Sequence, residues 1–130
     1  MRVVLDTNIL ISALWKPDGL EAQVVRLARE GEILPCVSEA LWAEYHDVLS
    51  RDKFLKLREA AGNLLFELAL RVTYVHPKTR ITVSKDDEDN RVLECAGEAR
   101  AEYLITGNLR HFPGKWECTK IVNARAFLAL

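Results

Sequence analysis

Asp6, Glu44 and Asp89 are the residues of this 130-residue chain whose type and placement could do chemistry. Asp6 ends the apolar run Val3-Val4-Leu5, which reads as a buried strand. The carboxyl end of a strand is where α/β sheets bind their ligands. Capping the helix that follows is the other role that suits Asp6. Glu44 shares a helix face with Leu41, Tyr45 and Val48, because three or four residues are close to one turn. A carboxylate there either reaches water past the edge of the face or needs a cation, since an unpaired buried charge is costly. Asp89 heads the stripe of Val92, Leu93 and Ala96, in a first turn where the helix dipole favours negative charge. It too could act only as a cap, and Asp86, Asp87 and Glu88 compete with it for either role.

Three acids from separate elements, brought to one place, repel one another and take up protons. A divalent cation among them removes that repulsion. Oxygen-only ligands select Mg²⁺ or Mn²⁺ over zinc or copper. Such an ion activates water and neutralises charge on a phosphoryl group in flight, so phosphodiester hydrolysis is the matching reaction. Other chemistries lack their residues. His46, His76 and His111 have no partner at zinc-hydrolase spacing. His111 could contact a phosphate or donate a proton, or be only a turn histidine. No Gly-x-Ser-x-Gly or Gly-x-Gly-x-x-Gly occurs, and Gly114-Lys115 is followed by Trp116, which breaks the phosphate-loop pattern.

The elements that must position the acids alternate in type. Short apolar strands are expected at 3–5, 33–37, 72–75, 103–105 and 119–122. Helices are expected at 9–14, 20–30, from Ser38 as N-cap to Leu49, and at 58–70, 89–100 and 124–130. A charged connector fills 51–57 and a polar loop fills 78–88. The alternation predicts an α/β fold with a mostly parallel sheet of about four or five strands, covered on both faces.

Composition narrows the class. The length suits one domain, 1–130. Hydrophobic residues make up 49% and charged residues 28%, ordinary for a globular chain. Cys36, Cys95 and Cys118 are three scattered cysteines without a Cys-x-x-Cys pair. They read as small buried apolar groups in a reducing, cytoplasmic setting. No secretory leader or membrane span is expected. A formal net charge of −1 argues against coating nucleic acid by bulk charge, though not against an enzyme acting on it. Arg51, Lys53 and Lys56 with Arg58, and Lys85 with Lys78 and Arg80, could grip an RNA backbone, or be solvated surface. Trp15, Trp42 and Trp116 read as core or interface, and Trp15 could stack on a base.

Four blocks together resemble the PIN-domain family: Val3-Val4-Leu5-Asp6-Thr7-Asn8-Ile9-Leu10-Ile11-Ser12-Ala13, Ser38-Glu39-Ala40-Leu41-Trp42-Ala43-Glu44-Tyr45, Asp87-Glu88-Asp89-Asn90-Arg91-Val92-Leu93-Glu94-Cys95-Ala96, and Leu104-Ile105-Thr106-Gly107-Asn108-Leu109-Arg110-His111-Phe112. The nearest branch looks like the VapC-like toxins of prokaryotic toxin–antitoxin systems. The resemblance implies a three-layer α/β/α nuclease that hydrolyses RNA, single-stranded or structured, with Mg²⁺ or Mn²⁺ on Asp6, Glu44 and Asp89. It implies supporting roles for Asn8 and Thr106, a cognate antitoxin protein, and a homodimer. The family often has a fourth acid where Asn108 or His111 stands, and neither is acidic here. Asn108 would then be a neutral oxygen ligand, or the second metal is lost. Asp87 could substitute only if its loop folds back. The alternative is a catalytically weak or inactive PIN-like module that binds RNA or protein.

Overall fold

The computed structural model describes all 130 residues. Six strands form one sheet: β1 (Arg2–Leu5), β2 (Leu34–Val37), β3 (Thr73–Tyr74), β4 (Tyr103–Ile105), β5 (Lys115–Trp116) and β6 (Thr119–Val122). The α-helices are α1 (Thr7–Trp15), α2 (Leu20–Arg29), α3 (Glu39–Leu49), α4 (Arg58–Ala69), α5 (Asp87–Ala99) and α6 (Ala124–Leu128). The strand order is β3-β2-β1-β4-β6-β5, and every pairing is parallel except β5 with β6. Successive strand residues point to opposite faces. Val3, Val4 and Leu5 are each 1% exposed or less, so helices cover both faces of β1. This is the expected three-layer α/β/α arrangement of the PIN-like fold.

Chain order then locates a crevice. After β1 the chain builds β2 and β3 on one side, and crosses over to place β4 and β6 on the other. The carboxyl ends of β1 and β4 therefore flank the switch point, where an open α/β sheet has room for a ligand. Asp6 follows the first of these strands and Thr106 the second.

Two helices bring the other acids there. Ser38 caps α3, its Oγ accepting from the Leu41 N–H at 3.1 Å. Leu41, Tyr45, Val48 and Leu49 bury its inner face. The Tyr45 hydroxyl donates to the Leu5 carbonyl at 2.5 Å. That bond pins α3 to the end of β1, so Glu44 stands beside Asp6. In α5, Asp86 is the cap, accepting from the Glu88 N–H at 3.0 Å, and the helix starts two residues earlier than its apolar stripe.

The loop before α5 is clipped to it. Asn90, which is buried, accepts from the Ser84 N–H at 2.8 Å and donates to the Ser84 carbonyl at 2.9 Å. Glu94, also buried, accepts from the Ile81 N–H at 2.7 Å and from Arg91 at 2.9 Å. Arg91 donates in turn to the Ile81 carbonyl at 3.0 Å.

Three expectations need correcting. The 51–57 connector contains a 3-10 helix, Asp52–Leu57, anchored by the buried Phe54. The sheet has β5 as a sixth strand, whose two residues are too short to show alternation. Cys118 is exposed, because it sits with Glu117 in the turn between β5 and β6, and Glu117 takes a left-handed φ of 53° there. Cys36 and Cys95 are buried as expected. Burial pushes the Cys95 thiol up to about 12, which removes it as a nucleophile.

Candidate functional site

Asp6 uses both of its carboxylate oxygens. Its Oδ1 accepts from the Thr7 N–H at 2.9 Å and caps α1. Its Oδ2 accepts from the Thr106 hydroxyl at 2.8 Å and from Asn8 Nδ2 at 3.2 Å. Asp6 is buried, and burial raises its proton affinity, while the donors of Thr106, Thr7 and Asn8 and the nearby His111 oppose the rise. Asn8 and Thr106 face two ways. Asn8 Oδ1 accepts from the Gly107 N–H at 2.9 Å, and Thr106 Oγ1 accepts from the Asn108 N–H at 3.0 Å. Each side chain thus ties the acid to the turn that follows β4.

Glu44 is half-buried and accepts from the Thr7 hydroxyl. Burial pushes its carboxyl up to about 7, and the neighbouring acids Glu88 and Asp6 add to the rise while the Thr7 hydroxyl opposes it. Asp89 is 8% exposed. Its Oδ2 is buried without a hydrogen-bond partner, and His111 Nδ1 lies 3.5 Å away. Burial, then the charges of Asp86 and Asp6, raise Asp89 to about 6, with His111 opposing. Asp6 acts on both other acids, so the three share one electrostatic neighbourhood at the switch point. As they stand, no three His, Cys, Asp or Glu side chains are gathered closely enough to hold a metal ion. The donors are oxygen-only and crowded with like charge, which is the donor chemistry of a hard divalent cation, and holding one would need the three carboxylates to draw closer.

Other candidates stand apart. The Asn108 side chain makes no hydrogen bond, and only its backbone is fastened. Asp87 pairs with Arg91 at 3.2 Å and Arg80 at 3.8 Å. Its carboxylate is exposed and faces these cations. Arg51, Lys53 and Lys56 are exposed on or beside the 3-10 helix after α3, and Lys85 is exposed just before α5. Arg51 pairs with Asp47 at 3.1 Å, and Lys53 Nζ lies 5.2 Å from the Phe54 ring centre. None of the four contacts the acids.

Sequence reasoning underweighted two neighbours. Glu88 lies within hydrogen-bonding reach of Glu44, and both line a cavity of about 250 Å³ with Asp47 and Arg91. Glu88 was visible only as one acid in a run of four. His111 reads as a turn histidine, yet the 3-10 turn Leu109–His111 aims its ring at Asp89.

Comparison with known proteins agrees with this architecture. The family model described as PIN domain matches residues 2–110. An uncharacterised protein of Methanocaldococcus jannaschii is 31% identical over 115 residues, which is 83% of this chain and 71% of that protein. The crystal structure of VapBC2 from Rickettsia felis, bound to a DNA fragment from its promoter, contains a chain similar in fold. Its TM-score is 0.63 at 16% identity, covering 95% of this chain and 98% of that one. DNA-bound VapBC from Salmonella typhimurium gives the same values. With its strand order, its acids at the switch point and a family match over most of its length, the chain belongs to the PIN domain family.

Proposed function

We propose that this PIN domain is a metal-dependent endoribonuclease that hydrolyses RNA phosphodiesters, and that it is the toxin of a toxin–antitoxin pair. The observation that carries the catalytic reading is the buried Oδ2 of Asp89, which makes no hydrogen bond and stands beside Asp6 and Glu44. A buried oxygen without a hydrogen bond is costly, His111 Nδ1 at 3.5 Å offsets that only in part, and a cation in the crevice would satisfy it. Asp6, Glu44 and Asp89 would hold Mg²⁺ or Mn²⁺, with Glu88 supporting Glu44. The ion supplies charge neutralisation at the phosphoryl group and an activated water.

The chain's own residues do the rest. Thr106 and Asn8 fix the Asp6 carboxylate, and Thr7 and Tyr45 fix Glu44 and its helix. The exposed Arg51, Lys53, Lys56 and Lys85 would draw the RNA backbone in. The partner half of the reading rests on the VapBC complexes, whose similar chains are parts of two-protein assemblies. That half is a cognate antitoxin protein; the homodimer and the cytoplasmic setting are carried over from the sequence expectations.

The test is cleavage of a mixed RNA pool with Mg²⁺ or Mn²⁺, with and without EDTA, for wild type, Asp6→Asn and Asp89→Asn. Metal-dependent cleavage lost in both variants supports the reading. Folded wild type that binds RNA and never cuts it makes the chain a binding module, a role the neutral Asn108 would suit. Matched single-stranded DNA as substrate separates an RNase from a DNase.

A further inference from the structure

A cavity of about 300 Å³ opens beside the acid crevice, between the 3-10 turn Leu109–His111 and the start of α6. Its walls are Gly107, Asn108, Leu109, Arg110, His111 and Asn123. They carry two basic side chains, two amides and no carboxylate, the reverse of the crevice next door. His111 belongs to both spaces, lining the cavity while its Nδ1 faces Asp89 at 3.5 Å.

Apart from His111 Nδ1, which faces Asp89, the side-chain donors here are unused. Arg110 is exposed and enters no ion pair. The Asn108 side chain has no partner. Asn123 uses only its Oδ1, which accepts from the Ala126 N–H at 2.8 Å to cap α6. The turn that carries them is held still. Gly107 and Asn108 are bonded through Asn8 and Thr106 to the framework of Asp6, and Phe112 is buried behind them. A fixed set of donors beside a hydrolytic crevice calls for an anion that continues beyond the reacting centre. The planar guanidinium fork matches two oxygens of one phosphate.

We propose that this cavity is the subsite for the phosphate next to the scissile one in a single-stranded RNA, with Arg110 and His111 as its contacts. The subsite fixes the direction of the strand: acids on one side of the reacting phosphate, cations on the other. It rests on the nuclease reading for its position, and its test separates the two.

The experiment measures fluorescence anisotropy of a labelled single-stranded RNA of about ten nucleotides. Ca²⁺ is present to neutralise the acids, its looser coordination slowing hydrolysis. Wild type is compared with Arg110→Gln and His111→Gln, and Mn²⁺ binding is titrated calorimetrically in parallel. Arg110→Gln weakens RNA binding about tenfold, and the slope of log affinity against log salt falls by about 0.7 for the lost phosphate contact. Mn²⁺ affinity stays within about twofold in that variant, because Arg110 is no ligand. RNA affinity unchanged in both variants overturns the subsite, as does wild type that binds no RNA. Arg110→Gln that loses Mn²⁺ while keeping RNA overturns it too, by making the turn part of the metal centre. Wild type that binds RNA through Arg110 and never cleaves it overturns the nuclease reading alone.

Discussion

Replacing Asp89 by Asn should stabilise the metal-free protein at neutral pH and abolish its response to metal. Asp89 titrates near 6 in the fold, against about 3.9 in an unfolded chain. The folded state therefore binds its proton more tightly, and stability is lost as pH rises from about 4 through 6. Two units correspond to about 3 kcal/mol. The open side of the crevice screens the charge, which reduces this to about 1–2 kcal/mol, or roughly 4–8 °C in Tm for a chain of this length. Asn keeps the shape and removes the charge, so Asp89→Asn escapes the loss. Urea denaturation in EDTA should show variant and wild type equal near pH 4, with the variant ahead by that amount at pH 8. Added Mg²⁺ or Mn²⁺ reverses the order: at a hundred times its Kd an ion stabilises wild type by about 2.7 kcal/mol, and the variant gains less. A gap of the same size at pH 4 and pH 8 would refute the reasoning, as would equal stabilisation of both proteins by metal.

Thr106→Val keeps the shape but removes the donor to Asp6 and the acceptor for Asn108; it should cost about 1.5–3 kcal/mol by denaturant titration and lower cleavage, with Thr106→Ser restoring both. Tyr45→Phe leaves the Leu5 carbonyl without its hydroxyl partner and costs about 1 kcal/mol, with cleavage falling further than stability as Glu44 drifts from Asp6. Arg91→Ala leaves the buried Glu94 carboxylate without a cation and should cost about 2–4 kcal/mol. Limited proteolysis then cuts the 78–85 loop faster, while Glu94→Gln has the milder effect. Metal affinity should rise from pH 6 to pH 8, because Glu44 at about 7 and Asp89 at about 6 must lose their protons to bind; a flat calorimetric profile would contradict this.

Much of this was legible before the structure, for identifiable reasons. Val3-Val4-Leu5 is apolar at every position, as a strand covered on both faces requires, and with the alternation of strands and helices it points to the α/β class and to the place of Asp6. The Ser38 cap and the Leu41, Tyr45 and Val48 stripe set α3 and the side on which Glu44 stands. What escaped depends on pairings between distant residues. Nothing near Arg91 or Glu94 says that they clamp Ile81 ten or more residues away. Lys115-Trp116 becomes a strand only because β6 lies beside it. Glu88 and His111 gain their places from the pitch of α5 and the path of the turn after β4, neither of which a residue pattern encodes.

Both margins of the sheet are guarded by strands of only two residues, Thr73–Tyr74 at one and Lys115–Trp116 at the other. Between them lie the longer strands, each with a paired neighbour on either side. An incoming β-segment therefore finds almost no free ladder to extend, which is how natural sheets resist edge-to-edge aggregation. Assembly with any other polypeptide is steered away from strand addition and towards side-chain contacts on helices and loops, so a partner can dock without drawing the sheet into a growing stack.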